Sequence, residues 1–505
     1  MGQPAAKAMS WQPYELPSPD EIPSAPPQAE EIPHPSLPAL ALQEVLTSVE
    51  RHFPLLLAAL QEQGITSGQL LAAQGAFDLY LRAREFGQLG TFDSHRFQLG
   101  FEQNLAWNGL SYFAGYRQSE GSFPVYYGDR KTADGGEFRA GLLIPLLANR
   151  AIDRRRATLQ QAAIGRAMAT PVIAAQRIDF LRAAARAYWT WVAAGRRYQI
   201  TLEVLRIAQE RDQQLAELVQ GGAVAEFERI DNQRVIVERQ SRLIVAERAW
   251  QQATIALSLY LRGPDGAPYL APASRLPQQL PDPPPVENLR QANEIDVAFR
   301  LRPELQRLRL QRARLAVEFQ LARNQLLPGV NLGLEAAQDV GASSATKDAS
   351  SISGTQLDQN TYVASVQLDV PLQRRDARGR MLAAQAAMNQ LVQQERFQQD
   401  RIVAEIQDAV SALARYYELL DKARENAAVA RRVESGERER FMRGQGSIVI
   451  LNLRELVAAE ALLAEVDALA EYYRSLADYR AALGLDAQPD NAQDAANTDV
   501  SVPGP

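Results

Sequence analysis

Two periodicities take turns along the chain. From Gly75 onward apolar residues recur at every second position. Phe77, Leu79 and Leu81 alternate with Asp78, Tyr80 and Arg82, and Phe97, Leu99, Phe101 and Leu105 alternate with Arg96, Gln98, Gly100, Glu102 and Asn104. Asn108-Gly109 is a hairpin-turn dipeptide, after which Leu110, Tyr112, Ala114 and Tyr116 share one face. Beyond the loop Gly128 to Gly136 come Phe138, Ala140, Leu142 and Ile144. A second block places Val330, Leu332, Leu334 and Ala336 on one face, and a returning stretch does the same with Tyr362, Ala364, Val366, Leu368 and Val370. A period of two predicts strands that are apolar on one side and polar on the other. Strands between hydrocarbon and water fit this pattern, and so does a half-buried soluble sheet.

Elsewhere the period is that of a helix. Ile402, Ile406, Val410, Leu413, Tyr417 and Leu420 recur at spacings of three and four, the seam of coiled-coil-like packing. Thr158 to Gln220 predicts a helix of ~95 Å and Leu382 to Arg443 one of ~93 Å, at 1.5 Å per residue. Return helices over 224–261 and 447–483 would each span roughly 55 Å. Pro171 should kink the first long helix by removing a backbone donor; Phe397 holds the corresponding place in the second. Shorter helices at 41–62, with Gly64 to Gln74 continuing after a break, and at 291–327 open the two halves.

The two halves share an order of events. A strand ends in Pro-Leu at Pro145 and at Pro371, and arginines follow: Arg154, Arg155 and Arg156 in one half, Arg374, Arg375, Arg378 and Arg380 in the other. Then come a long helix, a glycine reversal (Gly221-Gly222; Gly444-Gln445-Gly446) and a return helix. The prolines lie 226 residues apart and Gly221 and Gly444 lie 223 apart, which predicts two internal repeats. Their expected bounds are 39–262 and 291–484. A Pro-rich linker at 263–290 joins them, an extended Pro-rich lead covers 1–38, and a disordered tail covers 485–505.

Composition narrows the possibilities. The net charge of −6 gives no electrostatic reason to expect a nucleic-acid partner. With no cysteine, thiolate metal sites and cysteine nucleophiles are excluded, and the three histidines are scattered. No P-loop, HExxH or GxSxG is present, so neither an enzyme nor a cofactor is expected. No apolar run reaches the ~18 residues of a spanning helix, which leaves barrel strands open. A signal peptide is not visible.

The junction residues resemble those of the outer-membrane efflux protein family, the TolC-like exit ducts of Gram-negative bacteria. The resemblance covers roughly 41–484. It rests on Ile144-Pro145-Leu146 and Val370-Pro371-Leu372, on Arg302-Pro303-Glu304-Leu305, on Leu327-Pro328, and on the reversal from Phe441 to Leu451. It implies a mainly α fold with a transmembrane β part: a homotrimer whose copies share one twelve-stranded β-barrel in the outer membrane and one α-helical barrel across the periplasm. The extra strand-like sequence over 76–119 departs from that pattern, as an added hairpin or a surface loop. The implied function is the passive exit duct of a tripartite efflux pump or type I secretion system, gated at its periplasmic tips. Its implied partners are a periplasmic adaptor protein, an inner-membrane transporter and outer-membrane lipid. A non-transporting coiled-coil scaffold is the alternative.

The resemblance assigns adaptor docking at the tips to Gly221, Gly222, Gly444, Gln445, Gly446 and Ser447. The four glycines would supply positive φ angles for the turns. Gate candidates are Glu226, Glu228, Asp231 and Asn452, so an acidic ring would come mainly from the first half. Pro145, Pro371, Arg154 and Arg380 mark the junction of barrel and tunnel. There the arginines read either as an interfacial ring or as ordinary salt-bridged charge. Tyr112, Tyr116, Tyr126, Tyr127 and Tyr362 read as an aromatic girdle or as packing. The remaining carboxylates read as solvated helix faces.

Overall fold

The computed structural model describes residues 38–123, 132–222, 224–284, 291–341 and 360–487. The expected lead, most of the expected tail, the polar stretch after Gly341 and both Tyr126 and Tyr127 fall outside those residues.

Each half opens with two helices divided at a proline. Helices α1 (Leu42–His52) and α2 (Pro54–Gln74) separate at Phe53, and α5 (Gln291–Leu301) and α6 (Pro303–Asn324) separate at Arg302. In both pairs the residue before proline is extended and the proline opens the next helix, where its missing N–H costs nothing. The break expected at Gly64 is therefore at Phe53 instead, and α2 runs through Gly64. The long helices are α3 (Arg154–Gln220, 67 residues) and α7 (Arg375–Met442, 68 residues), each ~100 Å. Both start earlier than the sequence suggests because the arginine clusters form their first turns. Helix α3 stays a single helix through Pro171, which is buried. The returns are α4 (Glu226–Ser258) and α8 (Ile448–Leu483).

The short helices continue the returns. Ser48 Oγ accepts from Arg262 N at 2.8 Å where α1 meets the end of α4, and Arg302 Nη1 donates to Ala481 O at 3.1 Å where α5 meets α8. Each chain thus presents four helical columns: α3, α7, α4 capped by α1–α2, and α8 capped by α5–α6.

Mid-height holds the largest buried apolar cluster among the described residues. Trp189 stacks on Tyr473 with centroids 4.0 Å apart, and Tyr188, Trp191, Leu257, Leu420 and Tyr472 fill the space around them. The Pro-rich connection binds here rather than hanging free. Tyr472 donates to Pro284 O at 2.8 Å, Tyr473 donates to Pro281 O at 2.9 Å, and Arg424 pairs with Asp282 at 3.0 Å.

Burial pushes the Tyr188 and Tyr473 phenols up to about 12, against about 10 in the unfolded chain. Folded stability should therefore be complete below about pH 10 and fall as pH rises toward about 12. Thermal melts across that range should show the decline, and Tyr473→Phe should make it shallower.

Six antiparallel strands form one sheet in chain order: β1 (Leu79–Gln88), β2 (Ser94–Asn104), β3 (Ser111–Gly121), β4 (Glu137–Pro145), β5 (Gly329–Asp339) and β6 (Asn360–Asp369). Four come from the first half, so the strand-like stretch over 76–119 is an added hairpin within the sheet. Asn108 and Gly109 turn β2 into β3 with φ of 50° and 68°, the geometry that Asn-Gly favours. The twelve-strand expectation counted four strands per chain, two fewer than the six among the described residues.

Candidate functional site

The sheet has two chemically distinct faces, and pairing fixes which residues share each. One row of partners runs Leu81, Phe101, Ala114, Ala140, Ala336, Tyr362; the next runs Leu79, Gln103, Tyr112, Leu142, Leu334, Ala364. This apolar face crosses all six strands, and Leu81 (62%), Phe101 (49%), Leu142 (41%) and Tyr362 (76%) are exposed on it. Tyr112, Tyr116 and Tyr362 all lie on this side. The opposite face is charged: Arg82 pairs with Glu102 at 3.1 Å, Arg139 with Glu335 at 3.3 Å, and Arg117 with Glu137. A contiguous exposed apolar face backed by a charged one marks the apolar side as a contact surface for protein or lipid.

Where strands hand over to helices, the buried member of the first arginine cluster is Arg156, not the junction candidate Arg154. Arg156 donates from Nε to Asp153 at 3.0 Å, from Nη1 to Arg150 O at 3.0 Å and Ala151 O at 3.2 Å, and from Nη2 to Asn149 O. Asp153 also caps α3 by accepting from Arg156 N. Arg154 is exposed, while Arg380 pairs with Asp376 at 2.6 Å and reaches Gln325. Pro145 ends β4 opposite Asn331, and Pro371 is exposed just after β6.

At the other end, only two of the four tip glycines use positive φ, Gly222 and Gly444, both at 71°. Gly221 is right-handed at φ −76°. Gly446 is needed for space, since a Cβ there would lie 2.9 Å from Phe441 N. Gln445 N donates to Arg440 O at 2.9 Å, and Ser447 caps α8 by accepting from Val449 N. Gly222→Ala and Gly444→Ala should each cost ~1–2 kcal/mol of local stability by forcing a left-handed residue. Gly221→Ala should be near neutral. Hydrogen exchange at the two turns measures the difference.

Above the turns lies a charge cluster that joins all four long helices. Glu455 of α8 accepts from Arg211 of α3 and, at 2.9 Å, from Arg239 of α4, and Arg438 of α7 stands 3.7 Å away. The Glu455, Arg211 and Arg239 side chains are only 5%, 5% and 8% exposed. Arg211 also donates to Asn452 Oδ1 at 2.7 Å, and Arg239 to Val204 O at 2.7 Å. Burial lowers the Arg211 guanidinium from its ordinary value, with Glu455 opposing the shift. Burial raises the nearby Glu434 carboxyl, which Arg438 partly offsets.

Asn452 is thus brought into the cluster. The other gate candidates are not: Glu226 is exposed at the start of α4, Glu228 is half-buried on its first turn, and Asp231 pairs with Arg234 at 3.2 Å. Among the described residues no acidic group of metal-binding form occurs, and no helix is long and apolar enough to cross a membrane.

No protein-family model and no curated protein sequence matches the chain. Solved structures do. The open state of the MtrE outer-membrane channel of Neisseria gonorrhoeae superposes with a TM-score of 0.62 at 14% identity, covering 88% of each chain. The CmeC outer-membrane channel of Campylobacter jejuni gives 0.62 at 15% identity over 90% of this chain and 88% of its own. The fold is that of the outer-membrane channels. The outer-membrane protein VceC of Vibrio cholerae agrees, at 0.61 and 15% identity over 88% of this chain and 96% of its own. Within this channel fold the two-faced sheet and the Glu455 cluster occupy opposite ends of the long helices.

Proposed function

We propose that the chain is the outer-membrane exit duct of an efflux pump or type I secretion system. Three copies enclose a barrel through the outer membrane and a helical tunnel below it, with passive transport and closure at the helix tips. The reading is carried by one observation: a sheet with a continuous apolar face and a charged reverse sits on the end of four ~100 Å columns per chain. Backbone edges cannot stay open in lipid, so the sheet needs further copies to close. Alternate apolar positions on α4 (Ile230 at 54%, Val237 at 61%, Ile244 at 66%) form a heptad-spaced exposed row suited to a neighbouring helix. The tips from Gly221 to Glu226 and Gly444 to Ser447 would receive a periplasmic adaptor, which couples the duct to an inner-membrane transporter. The Glu455 cluster would hold the tips together.

Fractionation of cells making the full-length product tests this. Recovery from the outer membrane as a heat-sensitive trimer that conducts ions in planar bilayers is the expected result. A freely soluble monomer would overturn it and favour a coiled-coil scaffold.

A further inference from the structure

The sheet itself indicates how many strands enclose the pore. We infer that three copies close an eighteen-stranded barrel in which β1 of one copy pairs with β6 of the next. This rests on the trimeric duct proposed above and adds the identity of the closing edges.

Four features of the sheet support it. First, β1–β2 is continuous with the rest: its partners run without interruption from Leu79↔Gln103 to Gln88↔Ser94, and β2 pairs with β3 over its full length. Second, the hairpin has the same two faces as the other strands, with Leu79, Leu81, Leu99 and Phe101 on the apolar side and Arg82 and Glu102 on the charged side. A flap folded over either face would bury charge or leave its own apolar side in water. Third, the strand count is even. Successive strands are antiparallel, so β6 runs opposite to β1 and can accept it as the next antiparallel neighbour. The two edges are equally long, ten residues each.

Fourth, the sheet carries the stagger of a barrel. The row starting at Leu79, the first residue of β1, reaches β6 at Ala364, five residues before the strand ends at Asp369. At ~3.3 Å per residue and ~4.8 Å between strands, that climb across the sheet is a tilt of ~35°, within the range of membrane barrels. At that tilt eighteen strands trace a circumference of ~105 Å and twelve trace ~70 Å. Twelve helical columns packed ~9 Å apart trace ~108 Å. The wider barrel meets the tunnel without a step, so the tips rather than the barrel set the size of what passes.

Carrying the stagger one strand further sets Ala364 opposite Glu85 of the partner subunit. In that register Ala83 faces Val366, Leu81 faces Leu368, and Arg82 faces Gln367, so these three pairs match in polarity; Glu85, which stands 4.0 Å from His95 on the same face, is the one charged residue among the four pairs' apolar-face positions.

The native chain has no cysteine, so paired cysteines report only the seam. Purified trimer carrying Ala83→Cys and Val366→Cys should, on oxidation, become a covalent trimer that reductant dissolves. Leu81→Cys or Glu85→Cys, two residues away on the same face, covers a register slip when combined with Val366→Cys. Ala114→Cys with Val366→Cys probes closure of β6 on β3, as a twelve-stranded barrel requires, and should give no cross-link. A trimer that cross-links through β3, or through none of the β1 positions, overturns the eighteen-stranded barrel while leaving the duct intact. A protein that forms no trimer at all overturns both.

Discussion

Glu455→Ala should loosen the helix tips more than any other single substitution in α3, α4, α7 or α8. It removes the one carboxylate that Arg211, Arg239 and Arg438 share, leaving two guanidinium groups that are more than nine-tenths buried without a counter-charge. Breaking a buried ion pair from one side typically costs ~3–5 kcal/mol, because the surviving charge keeps its desolvation penalty. The loss should be local. Hydrogen exchange should accelerate over the last turns of α3 and α7 and the first turns of α4 and α8, while the aromatic layer around Trp189 and Tyr473 stays protected. In bilayers the variant should dwell longer in conducting states. Glu455→Gln, which keeps the shape and loses the charge, should fall between. Unchanged exchange at the tips in the alanine variant would show that the cluster does not hold them.

The second large effect concerns the sheet. Leu142→Arg places a cation on the apolar face between Tyr112 and Leu334. If that face meets hydrocarbon, the cost is ~2–4 kcal/mol near mid-depth, and the yield of heat-sensitive trimer in the outer membrane should drop severely. Val363→Arg is the control. Val363 pairs with Glu335 on the charged face, where an added cation meets water and a carboxylate. It should assemble normally. If both variants assemble equally well, the apolar face does not contact lipid.

Local pattern made much of this architecture legible. The seam of Ile402, Ile406, Val410, Leu413 and Leu420 is buried as its spacing predicts, and the alternation around Phe101 and Leu334 identified true strands. Asn108-Gly109 turned where its chemistry says it should. What could not be read was nonlocal. Glu455 looks like any other charge on an alternating helix, and its burial arises only because arginines from three other helices converge on it. One signal was available, since Arg211 follows the apolar positions Leu205 and Ala208 at helical spacing on the buried side of α3. Pro171 shows a limit of a different kind: α3 runs on through it as one helix with the proline buried, since an internal proline removes one backbone donor without having to end the helix. That the Pro-rich connection docks on the helices could not be read, because its partners are tyrosine hydroxyls 188 and 192 residues away.

That connection has a mechanical consequence. By fastening α8 at the level of Tyr472 and Tyr473, it would make mid-height the fulcrum, and the segment below the lever arm, of any movement of the tips. From Trp189 to Gln220 the arm is ~47 Å long, so a turn of ~5° at the fulcrum carries the tip ~4 Å sideways. If the tips open as proposed, a small angular change at mid-height would be enough to part them, with no helix having to unwind.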